Sequence, residues 1–185
     1  MLIRYASSLL VRGRFHLEAR DRNGQLVAVV DEDNMILDSG LEGLAAALAS
    51  PGSSGRTPFA ISIGDNGTLS GDPFTPIEPP ASRTSLYHEL GSTRVGLATN
   101  FEAVQTGAAL QCSRSFDSTL LSVGDFADAS KQYLNEAMVW LGKSADAPDT
   151  AWVPFAMRTF KSVPFGPVDA ITAMIRWTFT FQRGS

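Results

Sequence analysis

Between residues 14 and 20 the chain alternates. Phe15, Leu17 and Ala19 are apolar, and Arg14, His16, Glu18 and Arg20 are polar, the period-two pattern of a strand with one buried face. Asn23-Gly24 follows, and then Gln25-Leu26-Val27-Ala28-Val29-Val30. An Asn-Gly pair between two such runs predicts a hairpin with a type I′ turn, whose two central residues need positive φ. Ser39-Gly40-Leu41-Glu42 has the spacing of a capping box, with Ser39 as N-cap. Leu41, Leu44, Ala45 and Leu48 then recur on one helical face, predicting a helix over residues 40–49 that Pro51-Gly52 stops.

Beyond the helix the pattern is almost all strand. A short strand is expected at Phe59-Ala60-Ile61-Ser62-Ile63, and a short turn over residues 86–90. Residues 64–82 carry Gly64, Gly67, Gly71, Pro73, Pro76, Pro79 and Pro80 and read as a long irregular loop, a first candidate for an interaction region. Strands are expected over residues 93–98, 108–116, 135–141, 153–160 and 169–182. In the last, Ile171, Ala173, Ile175, Trp177, Phe179 and Phe181 share one face, and Thr172, Met174, Arg176, Thr178 and Thr180 share the other. A strand of that length suits the inner layer of a sandwich. The expected fold is mainly β: an antiparallel, jelly-roll-like β-sandwich over residues 13–182 with one inserted α-helix near residues 40–49, preceded by an arm of residues 1–12.

Composition sharpens this reading. A chain of 185 residues suits one domain and buries about 70% of its unfolded surface, enough core without a metal or disulfide. The net charge of −4 argues against general binding to nucleic acid or anionic membranes. No apolar run is long enough to span a bilayer, and the first residues lack the layout of a signal peptide. Cys112 is the sole cysteine, which excludes an internal disulfide and a cysteine-cluster metal site; its alternating surroundings favour a buried strand position.

Motifs for chemistry fail on their spacing. Asp31-Glu32-Asp33-Asn34 begins like a calcium loop, but Met35 and Ile36 stand where an oxygen ligand and a glycine are required. Gly142-Lys143-Ser144 ends like a phosphate loop, but Ala137 replaces its first glycine. No G-x-S-x-G elbow occurs. His16 and His88 lie beside no nucleophile signature. Asn66-Gly67-Thr68 matches a glycosylation sequon, yet Gly64-Asp65-Asn66-Gly67 reads first as a turn. No catalytic residue, metal site or cofactor is expected.

Several short motifs nevertheless fall in a recognisable order. The first is Asp21-Arg22-Asn23-Gly24-Gln25-Leu26-Val27, followed by Asn34-Met35-Ile36-Leu37-Asp38-Ser39-Gly40-Leu41. Ile61-Ser62-Ile63-Gly64 and Glu89-Leu90-Gly91-Ser92-Thr93-Arg94-Val95 come next. Leu134-Asn135-Glu136-Ala137, Arg158-Thr159-Phe160 and Trp177-Thr178-Phe179-Thr180-Phe181 close the series. In this order the chain resembles small virion structural proteins of tailed bacteriophages, of the tail, collar, head-fibre or capsid-decoration type. It departs from them at Met138-Val139-Trp140, where Gly-Leu-Phe is usual, a swap that keeps the apolar character. The resemblance spans residues 13–182 and implies a β-sandwich that is not an enzyme. It implies partners among capsid, neck or tail subunits and further copies of the chain as a homo-oligomer, with no nucleic acid and no membrane. The implied location is the virion, assembled in the bacterial cytoplasm.

Two sets of residues are candidates for contact. The apolar arm carries Leu2, Ile3, Tyr5, Leu9 and Leu10, which a free monomer should not leave solvated; it packs either on its own domain or on a neighbour. Arg4, Arg12 and Arg14 accompany it in a chain with twelve arginines and three lysines, and arginine suits partner interfaces. Trp152 is the tryptophan expected at the surface. An alternative reading is a carbohydrate-binding β-sandwich module for host-surface recognition, with Trp152, Tyr133 and Tyr87 as its stacking rings.

Overall fold

The computed structural model describes residues 9–49, 57–91, 101–142 and 152–183. Two antiparallel sheets carry the fold. The strands in chain order are β1 (Leu9–Arg20), β2 (Leu26–Asp33), β3 (Met35–Ile36), β4 (Thr57–Gly64), β5 (Thr68–Leu69), β6 (Asp72–Pro76), β7 (Phe101–Thr106), β8 (Ala109–Asp117), β9 (Tyr133–Gly142), β10 (Val153–Pro164) and β11 (Thr172–Arg183). Helix α1 (Asp38–Ala49) is the single α-helix among the described residues. One sheet has the order β2-β1-β11-β8-β7, the other β3-β10-β9-β4, and β5-β6 form a separate ribbon. The first and last long strands pair within the larger sheet, Phe15 opposite Trp177. Chain neighbours pair at β1–β2, β7–β8 and β9–β10, and the longer connections pair β8 with β11, β4 with β9 and β3 with β10.

Alternation decides which side chains enter the core. Phe15, Leu17 and Ala19 of β1 and Ala173, Ile175, Trp177 and Phe179 of β11 point inward and are fully buried. They meet Ile61, Val139, Phe155 and Phe160 of the facing sheet. Phe15 stacks on Phe160 with centroids 5.1 Å apart, and Phe155 lies 4.6 Å from Phe179. Cys112 is buried in the same core, and desolvation pushes its thiol up to about 12.

The four-stranded sheet is covered on both faces. Its outer side carries a second cluster of Leu37, Ala60, Leu86, Met138, Trp140, Trp152 and Met157, beside which α1 packs on β10. This corrects the expectation for Trp152. It is only 8% exposed, because a sheet buried on both sides needs large apolar side chains from the segments that cover it.

Three local expectations also change. The first hairpin turns as type I followed by Gly24 at φ 77°, with a register shift at Arg20. Asp21 makes the difference: its carboxylate accepts the N–H groups of Asn23 at 2.8 Å and Gln25 at 2.9 Å, while its carbonyl accepts that of Gly24 at 2.9 Å. That arrangement leaves positive φ to the glycine alone. The helix starts two residues early, at Asp38, and Ser39 caps nothing; its hydroxyl donates to the Pro154 carbonyl at 2.8 Å, tying α1 to β10. The closing strand starts at Thr172 because Asp169 and Ala170 form a turn, with the Asp169 carboxylate accepting the Gly166 N–H at 2.9 Å. The strand expected over residues 93–98 lies outside the described residues.

Candidate functional site

Strand β9 carries two polar side chains through a buried run. Asn135 and Glu136 are 2% and 0% exposed, so their polar atoms must be satisfied inside the protein. The irregular chain of residues 64–90 supplies the partners. Asn135 Oδ1 accepts the Gly67 N–H at 2.7 Å, and its amide group donates toward the Asp65 carbonyl at 3.1 Å, Ser162 Oγ at 3.2 Å and Thr68 Oγ1 at 3.3 Å. Glu136 accepts three backbone N–H groups: His88 at 2.8 Å and Asn66 at 3.2 Å on Oε1, and Tyr87 at 2.8 Å on Oε2. Beside them Thr159 Oγ1 donates to the Ile77 carbonyl at 2.6 Å. Gly64 is where the loop crosses closest; a Cβ there would stand 2.2 Å from the His88 carbonyl oxygen. The loop that looked irregular in sequence is therefore clasped to β9 at residues 65–68 and 87–88 and to β10 at Ile77.

Charge is buried here, and geometry offsets part of its cost. Burial pushes the Glu136 carboxyl above the usual range, and the three N–H donors pull against that rise. Burial likewise raises Asp65, opposed by His88 Nδ1 at 2.6 Å and the Ala127 N–H at 2.8 Å. An ionised Asp65 holds the proton on Nδ1 of His88. Asp65–His88 is thus half of a nucleophile-activating arrangement, but no serine, threonine or cysteine side chain completes it among the described residues. Nor do those residues contain a cluster of three or more His, Cys, Asp or Glu that could hold a metal.

Above the clasp opens a groove of about 530 Å³. One wall is the β5–β6 ribbon with Leu69, Ser70 and Asp72; the other is the segment Ala127, Asp128, Lys131 and Tyr133. Asp65, Asn135 and Ser162 form the floor, with Tyr87 also lining the groove. Asp72 accepts from Thr75 Oγ1 and the Phe74 N–H, and Asp128 from Ser130, which hold both carboxyls below their ordinary values. Lys131 Nζ lies 3.3 Å from Asp128 Oδ2 and His88 engages Asp65, so the charge left over in the groove is that of Asp72. Arg83 lies over the Tyr87 ring, 3.6 Å from its centroid, fixing that ring in place.

The contact candidates separate. Leu2, Ile3, Arg4 and Tyr5 lie outside the described residues. Leu9 opens β1 opposite Arg183, so residues 9–12 belong to the sandwich rather than to a free arm. Leu10 and Arg12 are exposed. Arg14 is exposed too, but it is engaged by Asp31 at 2.8 Å, with Asp33 at 3.8 Å. Trp152 is buried far from this role, whereas Tyr87 and Tyr133 do line one groove. Sequence reasoning did not single out Asn135, Glu136, Asp65 or His88 as a network. The available signal was an Asn-Glu pair inside the run Leu134–Leu141, since a buried polar pair requires partners.

Fold and site together define an antiparallel β-sandwich with a clasped loop, a class shared by many unrelated functions. No family model matches the chain, and no curated protein or solved structure matches it.

Proposed function

We propose that the chain is a non-enzymatic structural component of a tailed-phage virion, a collar- or tail-associated or capsid-surface accessory protein that acts through contacts between subunits. The observation that supports this reading is the work done by the motif positions on which the resemblance rests. Asp21 and Gly24 shape the hairpin, Asn135 and Glu136 clasp the loop, Arg158 pairs with Glu32, and Trp177 and Phe179 fill the core. Motif residues that converge on holding a fold fit a particle subunit; in an enzyme some would converge on reacting atoms. Edge strand β2 adds a contact surface of the right kind. Leu26, Val27 and Val29 are exposed on it, and an apolar edge favours pairing with a neighbour. Partners would be capsid, neck or tail proteins and further copies of the chain, where repeated modest contacts multiply. Mass spectrometry of purified particles from the parent phage tests this. The chain should be present in stoichiometric amounts, and its absence from intact particles would overturn the reading.

A further inference from the structure

We propose that the groove above the Asn135–Glu136 clasp is a binding site for a neutral oligosaccharide, with a sugar ring against Tyr133 and hydroxyls donating to Asp128 and Asp72. The volume of about 530 Å³ lies within the range of small-ligand sites, about 300–1,000 Å³. Its chemistry narrows the ligand. With Lys131 paired to Asp128 and His88 to Asp65, Asp72 leaves the lining net acidic, which disfavours phosphates and acidic sugars. The absence of a metal-holding cluster among the described residues removes a divalent cation. The hydroxyl, amide and carboxylate groups of the lining disfavour a purely apolar ligand. A polyhydroxylated neutral chain suits both parts of the surface: its hydroxyls donate to carboxylates, and its apolar ring faces cover aromatic ones.

The site is also preorganised. The ribbon turn is pinned by the Asp72 carboxylate, which accepts the Phe74 N–H at 2.9 Å and Thr75 Oγ1 at 2.7 Å, and the clasp fixes the floor. Binding therefore orders little that is not already ordered, which lowers its entropic cost. The inference does not rest on particle assembly, since the isolated chain contains the whole groove.

The test is calorimetric titration of the purified full chain with a panel of neutral oligosaccharides of glucose, galactose, mannose, rhamnose and N-acetylglucosamine, beside a sialylated trisaccharide. At least one neutral oligosaccharide should bind, with backbone amide shifts confined to residues 65–73 and 127–135 and no binding of the sialylated probe. Tyr133→Ala and Asp128→Ala should each weaken binding at least about tenfold. Asp128 is exposed, so its variant keeps the test decisive if Tyr133→Ala does not fold. The proposal is overturned by no binding across the neutral panel, by equal binding of the sialylated sugar, by affinity that survives the Asp128 variant, or by shifts elsewhere. Absence of the protein from virions would leave this result untouched.

Discussion

Replacing Glu136 probes the clasp directly. Its carboxylate accepts three backbone N–H groups from a loop that β9 otherwise reaches through Asn135. Glu136→Gln keeps one carbonyl oxygen, which can serve His88 and Asn66, and sets an NH2 donor against the Tyr87 N–H that now lies 2.8 Å from Oε2. One charge-assisted hydrogen bond is lost and one buried donor is orphaned, while the cost of burying a charge is removed; the net loss should be about 1–3 kcal/mol. Glu136→Ala orphans all three donors, and the loss should reach about 3–5 kcal/mol. Urea unfolding measures both, and native-state hydrogen exchange locates them: the amides of Asn66, Tyr87 and His88 should exchange faster, while those of β1 and β11 are less affected. A Glu136→Gln protein as stable as the parent, with unchanged exchange at those three amides, would refute the account of the clasp.

Further outcomes follow from the core and its charges. Phe179→Ala empties a fully buried ring site and should cost about 3–5 kcal/mol in chemical denaturation; a loss under about 1 kcal/mol would contradict the packing. Cys112, with its thiol pushed up to about 12 by burial, should resist alkylating reagents in the native protein and react on unfolding, so labelling at mildly alkaline pH in the folded state would count against its placement. Asp65 is raised by burial, so the native state holds its proton more tightly than the unfolded chain. Its contribution is complete below the ordinary carboxylate range and lost as pH rises through the raised value. Melting temperature plotted against pH from about 4 to about 6 should therefore have a more positive slope in Asp65→Asn than in the parent; an equal or more negative slope would contradict this. A chain beginning at Leu9 keeps every described pairing of β1; it should melt with the parent, and a large drop would show that residues 1–8 stabilise the sandwich.

How much of this was legible in the sequence depended on whether an element has one wet face. β1 and β11 alternate cleanly because one side meets the core and the other meets water, so Phe15, Trp177 and Phe179 could be placed from pattern alone. β9 is buried on both sides, and its run Leu134–Leu141 carries no period from which to read orientation. The same double cover hid Trp152: a second apolar layer over β9 and β10 is a tertiary fact, and the proline-rich neighbourhood gave no local sign of it. The β5–β6 ribbon escaped because its prolines and glycines read as breakers, while its order comes from distant contacts with Asn135 and Thr159. The groove was invisible for a related reason, since Tyr87 and Tyr133 are far apart in the chain and come to line one groove only once the loop is clasped.

The central claim is that these motif residues build a subunit meant for assembly. A cryo-EM map of the parent virion tests it most directly. The account predicts repeated density, on the particle's symmetry, into which the β2-β1-β11-β8-β7 and β3-β10-β9-β4 sheets fit as one body, with the Leu26–Val29 edge against a neighbouring subunit. A complete map in which no density accepts this sandwich would contradict it.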